Sequence, residues 1–269
     1  MTTRIEARAK LNLALVVGPA RGDGKHELVT VYQRLALHDD VELRPASSVD
    51  VAGFADDTLV RRALEALVAA GGPTLAARIA KRIPVAAGLG GGSADAAAAL
   101  RLGNDLATTP LPESRLAELA ARLGADVPFC LSEGPQLGSG DGTILQPLDL
   151  PQDYVVLLVL PNDASKTSTA DVYAAFDRRS RGDSFAQRRG ALLAALEHVR
   201  TTDDLASLPR NDLASSSLAD ELHALGAFRA DVTGAGPAVY ALFRERSDAE
   251  LAERRVGDRG HTWITTPAW

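Results

Sequence analysis

Between residues 5 and 17 an apolar side chain falls on every odd position: Ile5, Ala7, Ala9, Leu11, Leu13, Leu15 and Val17. Arg4, Glu6, Arg8, Lys10 and Asn12 take even positions. A period of two puts the sets on opposite faces of an extended chain, which reads as a half-buried strand with Lys10 and Asn12 projecting together from its polar side. Arg21-Gly22-Asp23-Gly24 supplies turn residues, 28–37 reads as the second strand of a hairpin, and 41–43 as a short third strand. Asp57 is placed to cap a helix over 58–70, closed by Gly71-Gly72. Leu75, Ala77 and Ile79 alternate as another strand. Helices are predicted over 93–106 and 112–123, the alanines at 96–99 being good helix composition. Residues 134–142 are rich in glycine and read as a loop at a lobe boundary, so 1–145 and 146–269 are the expected domains. Beyond it, 155–160 is a continuous apolar run suited to a buried strand, and helices are expected near 170–176, 185–199 and 218–225. Residues 230–243 read as two strands broken by Gly234-Ala235-Gly236-Pro237. Strands and helices mix without strict βαβ alternation, which favours an α+β fold.

The segment between the strand at 75–79 and the helix at 93–106 carries the chemistry. Gly88, Gly90, Gly91 and Gly92 fall within five residues and Ser93 follows them. A glycine-rich loop feeding a helix presents unpaired N–H groups and the positive end of the helix dipole to an anion, and bare backbone lets phosphate oxygens come close. Ser93 adds a hydroxyl for a phosphate oxygen or a metal bridging phosphates. Two familiar alternatives fail. A Walker A loop needs lysine after its last glycine, where Ser93 stands, and the dinucleotide fingerprint meets Asp95 or Ser93 where it needs glycine or alanine.

Composition narrows the setting. A net charge of -6 gives no support to nucleic-acid or anionic-membrane binding, and no apolar run approaches the roughly 20 residues that span a bilayer. The patterned strand begins at once, leaving no room for a signal peptide, and one cysteine, Cys130, cannot close an intramolecular disulfide. The expectation is a cytoplasmic enzyme, a monomer or weak homodimer, with a small-molecule substrate.

Pro84-Val85-Ala86-Ala87-Gly88-Leu89-Gly90-Gly91-Gly92-Ser93-Ala94-Asp95-Ala96-Ala97 resembles the central ATP-binding motif of the GHMP kinases, and Val232-Thr233-Gly234-Ala235-Gly236-Pro237 resembles their third glycine motif. Further segments extend the likeness in family order: Ala9-Lys10-Leu11-Asn12-Leu13, Arg21-Gly22-Asp23-Gly24-Lys25-His26-Glu27-Leu28, Lys81-Arg82-Ile83-Pro84, Gly124-Ala125-Asp126-Val127-Pro128-Phe129 and Ser168-Thr169-Ala170-Asp171-Val172-Tyr173, with Asn211-Asp212-Leu213 as a weaker addition. They resemble most the branch whose acceptor is a methylerythritol alcohol linked to cytidine diphosphate, in the non-mevalonate route to isoprenoid precursors. The resemblance implies a two-lobed α+β fold, an N-terminal lobe like domain 2 of ribosomal protein S5 and a C-terminal ferredoxin-like lobe with the ligand cleft between them. It also implies ATP and Mg²⁺, with residues 84–94 on the nucleotide phosphates and Ser93 as a metal contact.

The same resemblance assigns roles. Asp126, which alone reads equally as a turn or helix-capping residue, becomes the base that accepts the hydroxyl proton. Lys10, one of only four lysines with Lys25, Lys81 and Lys166, becomes its cationic partner, holding Asp126 ionised, lowering the pKa of the acceptor hydroxyl or offsetting charge on the transferring phosphoryl group. Asn12, His26, Thr169 and Tyr173 fall at acceptor-binding positions, His26 on the cytosine and Tyr173 as a stacking face. Lys25 departs from the family, where tyrosine is usual, and cannot supply the same π surface. Tyr32 is expected to provide the missing ring, while the Lys25 stem lies on the base or its ammonium meets a phosphate. Residues 56–62 are expected to flank the adenine. Two other readings stay open here: a GHMP kinase for another alcohol, and a non-catalytic nucleotide-binding relative.

Overall fold

The computed structural model describes residues 2–54, 59–163, 168–179 and 184–269. In chain order the elements are β1 (Thr3–Ala20), β2 (His26–Pro45), β3 (Asp50–Ala52), α1 (Leu59–Ala69), β4 (Leu75–Ala80), α2 (Gly91–Asp105), α3 (Glu113–Leu123), α4 (Val127–Leu131), β5 (Gln136–Gly140) and β6 (Ile144–Pro147). They continue with β7 (Val155–Pro161), α5 (Thr169–Arg179), α6 (Phe185–His198), a 3-10 turn (Thr202–Ser207), α7 (Ser217–Ala224), β8 (Arg229–Val232), β9 (Val239–Phe243), α8 (Arg246–Val256), β10 (Gly260–Thr265) and β11 (Pro267–Ala268). The mixture is α+β, as expected. Among the described residues no helix is long and apolar enough to cross a membrane. The capping expected of Asp57 lies outside the described residues, as do Lys166 and the first part of the expected adenine segment.

The chain divides into two compact units that do not split it at one point. One comprises Met1–Lys10, Leu37–Val85 and Gly90–Glu133; the other comprises Leu11–Ala36, Ala86–Leu89 and Gly134–Trp269.

In the first unit β4 runs antiparallel to the end of β2, from Asp40 opposite Ala80 to Pro45 opposite Leu75, and β3 runs parallel to β4. Val41, Leu43, Ile79, Val60, Leu64, Leu116, Leu119 and Val127 share one core with the alanines of α2. Those alanines do more than favour a helix. Every residue from Ala94 to Leu100 is buried, and small side chains let neighbours close round α2. Gly103 extends this packing: a Cβ there would stand 2.7 Å from Leu67 Cδ2.

The second unit contains an antiparallel sheet in the order β10-β7-β9-β8, whose core of Leu157, Val159, Val232, Val239, Ala241 and Phe243 is covered by Leu218 and Leu222 of α7 and Ala249, Ala252 and Val256 of α8. A second set pairs β5 with β6 and with the start of β2, where Tyr32 lies opposite Gln136.

Three expectations are corrected. The alternation of β1 governs burial only to Arg8. From Ala9 to Gly18 every residue is buried, so this stretch is covered on both faces, and Arg229 Nη2 and the Tyr240 hydroxyl donate to Leu13 O at 2.5 and 2.9 Å. The short strand at 41–43 is the end of an unbroken β2. The glycine-rich stretch at 134–142 is not all loop: β5 forms there, paired with β2, and its Gly138 accommodates an aromatic neighbour. A Cβ at Gly138 would fall 2.6 Å from Tyr32 Cε2. α4, α8, β3, β6, β10 and β11 were not legible in the periodicity.

Candidate active site

Lys10 and Asp126, far apart in sequence, meet in the first unit. Lys10 is 4% exposed and its Nζ lies 3.4 Å from Asp126 Oδ2. Local structure aims the carboxylate. α3 stops at Gly124, Val127 N donates to Gly124 O at 3.2 Å, and Pro128 sits in the first turn of α4, where it needs no N–H partner. Asp126 occupies the capping position of α4, yet its side chain makes no cap hydrogen bond. The carboxylate is therefore directed to Lys10 rather than spent on helix amides.

The exit of the glycine loop lies against the same lysine. Gly90 has φ +69°, in the left-handed region, and a Cβ there would stand 2.8 Å from Lys10 Cγ. Glycine thus meets two demands at once, conformation and close approach. α2 begins at Gly91, so the amides of Gly91, Gly92 and Ser93 belong to its first turn, the positive end of the helix.

Residues 86–89, in the second unit, are seated on the third glycine motif. Ala238 N donates to Ala87 O at 3.1 Å, and a Cβ at Gly88, where φ is +81°, would come within 2.4 Å of Thr233 O. Thr233 Oγ1 accepts from Asn12 N at 3.1 Å. Residues 86–89 and the third glycine motif, far apart in sequence, build one backbone arrangement within the second unit.

The residues expected to hold the acceptor also lie in the second unit, on different footings. His26 Nε2 is 2.8 Å from Asp177 Oδ1, and the His26 ring is stacked at a tilt on Tyr173, centroids 4.7 Å apart. Tyr173 and Asp177 stand one turn apart on α5. Lys25 is ion-paired with Asp141, which Thr143 also contacts. Burial works against ionisation of Asp141, but the hydrogen bonds from Lys25 and Thr143 prevail and hold its carboxyl down at about 2. Thr169 opens α5 and is exposed. Asn12 is 5% exposed, and its amide donates to Thr30 Oγ1 at 2.8 Å, so that donor is spent on joining β1 to β2.

Tyr32 is a correction. It is 2% exposed and wedged against Gly138 and Gly142, where bare glycine backbone admits the ring. It is a core side chain and offers no open stacking face. Sequence reading missed Asp177 and Asp141. Only Asp177 had a signal, its i+4 spacing from Tyr173.

The family models that match are the GHMP kinases N terminal domain, over residues 58–134, and the GHMP kinases C terminal model, over residues 210–262. The 4-diphosphocytidyl-2-C-methyl-D-erythritol kinase of Gloeobacter violaceus is 39% identical over 93% of this chain and 88% of its own length. Its counterpart from Pelotomaculum thermopropionicum is 38% identical over 93% of this chain and 92% of its own. A crystal structure of 4-(cytidine 5'-diphospho)-2C-methyl-D-erythritol kinase superposes with a TM-score of 0.79 at 30% identity, covering 99% of this chain and 100% of that one. A Methanococcus jannaschii mevalonate kinase shares the fold, with a TM-score of 0.76 at 12% identity, covering 100% of this chain and 99% of that one.

Proposed function

The chain belongs to the 4-diphosphocytidyl-2-C-methyl-D-erythritol kinases, within the GHMP kinases, and on that premise we propose how its residues divide the work of phosphorylating that alcohol from ATP. Asp126 takes the proton of the acceptor's 2-hydroxyl as its oxygen bonds to the γ-phosphorus. The bond from that phosphorus to the bridging oxygen breaks, and ADP leaves with the electron pair. Lys10 offsets the negative charge gathered on the transferring group. Residues 84–94 hold the nucleotide phosphates through backbone amides, those of Gly91, Gly92 and Ser93 aided by the helix dipole.

Among the described residues no three Asp, Glu, His or Cys side chains converge on a metal position. Mg²⁺ keeps waters and phosphate oxygens and needs few protein ligands. The Ser93 hydroxyl is the protein oxygen that would touch it, and the ion would neutralise charge across the β- and γ-phosphates.

His26 and Tyr173 receive the cytosine, with Asp177 orienting the imidazole, and Lys25, Asn12 and Thr169 serve the rest of the acceptor. The same proposal keeps 1–145 as the ATP-binding half and 146–269 as the C-terminal half, in a cytoplasmic monomer or weak homodimer.

The observation that carries the catalytic assignment is the buried Lys10 ammonium 3.4 Å from Asp126 with its stem against Gly90. The test is an ADP-release assay with the cytidyl acceptor, run beside mevalonate, homoserine and galactose. Release that depends on the cytidyl acceptor and collapses in Asp126→Asn supports the proposal. Equal release with Asp126→Asn removes that residue from the mechanism.

A further inference from the structure

Lys81 follows β4, immediately before the glycine loop, and its ammonium is held by two fully buried carboxylates. Nζ lies 2.5 Å from Asp39 Oδ2 and 2.7 Å from Asp95 Oδ2, and both acids are 0% exposed. Asp39 Oδ1 accepts two backbone amides as well, Arg82 N at 2.5 Å and Ile83 N at 2.8 Å. Asp95 sits in the second turn of α2. One ammonium therefore ties the residues that enter the loop to the helix that leaves it. Gly91 rests directly on this joint, since a Cβ there would stand 3.1 Å from Ile83 Cγ2 and 3.2 Å from Lys81 Nζ. The Phe54 ring closes the near side, its centroid 5.8 Å from Nζ.

Stability alone is a poor account of such a group. Gathering two carboxylates round one ammonium in the interior is costly, and apolar replacements of similar volume often serve the core as well or better. Burial works to lower the Lys81 pKa, yet Asp95 and Asp39 together raise it, so the ammonium stays charged where it stands. What the cluster supplies is geometry. It holds the amides of Arg82 and Ile83 and the first turn of α2 in fixed register, and that turn carries the N–H groups of Gly91, Gly92 and Ser93.

We propose that Lys81 is a positioning residue for phosphate recognition, with Asp39 and Asp95 as its anchors: the cluster sets the aim of the α2 amides at the nucleotide phosphates without touching the nucleotide. This rests on the phosphate-binding reading of residues 84–94. Its consequence is selective, because loosening the joint should weaken the hold on ATP and ADP and leave the acceptor alone.

Asp95→Ala is the informative variant, since it leaves Lys81 and Asp39 as a balanced pair with no stranded charge. Lys81→Met is the companion, and Asp95→Asn keeps a carbonyl oxygen that still accepts from the ammonium. The measurements are KM for ATP, KM for the cytidyl acceptor, the ADP dissociation constant by calorimetry and the melting temperature. In Asp95→Ala and Lys81→Met the ADP dissociation constant and the ATP KM should rise about tenfold, as for loss of one charge-assisted hydrogen bond. The acceptor KM should stay within twofold, and Asp95→Asn should recover most of the loss. A lowered melting temperature with unchanged nucleotide constants, or an equal rise in both KM values, overturns the proposal. If Lys81→Met does not fold, Asp95→Ala decides alone. Wild-type protein that binds no ADP is a separate failure: it refutes the phosphate-binding reading and takes this inference with it.

Discussion

The Lys10 ammonium and the Asp126 carboxylate stand 3.4 Å apart, the lysine 4% exposed and the side chain of the aspartate 30% exposed. A buried cation beside a partly open carboxylate is asymmetric. The lysine is held in place by its surroundings, including the bare backbone of Gly90, while the aspartate keeps one side open. Geometry of this kind suits a base that must meet substrate and a charge that must not move.

Removing either member should therefore suppress chemistry more than folding. Asp126→Asn keeps the size and the capping position, and its turnover is expected to fall by about 10²–10⁴, the usual worth of a positioned base. Lys10→Ala should lose a similar factor and also some stability, since it empties a buried site. Steady-state kinetics on variants with native circular dichroism decide this. A variant within threefold of wild-type kcat clears that residue of a catalytic role.

The loop glycines should not be equivalent. Gly88→Ala combines φ +81° with a Cβ 2.4 Å from Thr233 O, a backbone atom that cannot swing aside. Left-handed strain costs on the order of 1–2 kcal/mol before any clash is counted. Gly92→Ala meets only Leu59 Cδ1, at 3.4 Å, in the first turn of α2, where alanine is favoured by no more than about 1 kcal/mol. Thermal melts should show Gly88→Ala clearly destabilised and Gly92→Ala at least as stable as wild type. If bare backbone matters for phosphate approach, the second variant nonetheless has a raised ATP KM. The reverse order of melting temperatures would contradict this account of the loop.

These contrasts show what the sequence could and could not convey. Local chemistry was legible: period-two strands, glycine turns, the loop feeding α2 and the break at 234–237 all depend on neighbouring residues. The site residues followed from motif resemblance rather than periodicity, since alternation alone made Lys10 a solvated side chain. Burial of residues 9–18 on both faces needs partners such as Arg229 and Tyr240, which lie more than two hundred positions away. Tyr32 misled for the same reason. An aromatic near a ligand motif looks available until Gly138 and Gly142 close over it. Asp39 gave no signal at all, because its partners are two backbone amides and a lysine brought to it by the pairing of β2 with β4.

The contact between His26 and Asp177 makes a prediction about acceptor recognition. An ionised carboxylate only accepts, so the imidazole donates to it from Nε2, which fixes the orientation of the ring. Asp177→Ala frees the imidazole to turn, and the KM for the cytidyl acceptor is expected to rise about 5- to 20-fold, with the ATP KM within twofold. Tyr173→Ala should act on the same constant through loss of the ring that stacks on His26. An unchanged acceptor KM in both variants would remove this pair of rings from the binding site.

Lys25 and Asp141 predict a dependence on pH. Both side chains reach the surface, so the pair contributes less than about 1 kcal/mol at neutral pH. Its sign is nevertheless fixed. The Asp141 carboxyl is held at about 2 in the folded chain, below the ordinary value of 3.8, so the folded state resists protonation more than the unfolded one does. The stabilisation is complete above pH 3.8 and drains away as pH falls from there toward 2. Asp141→Asn should thus be slightly less stable than wild type at pH 7, with the difference shrinking through that window. Lys25→Met, which leaves Thr143 as the remaining side-chain donor to the carboxylate, should show a smaller shift of the same kind. Chemical denaturation at pH 7, 4 and 2.5 measures the gap directly. A gap that widens on acidification would mean that the carboxylate is not held down by its partners.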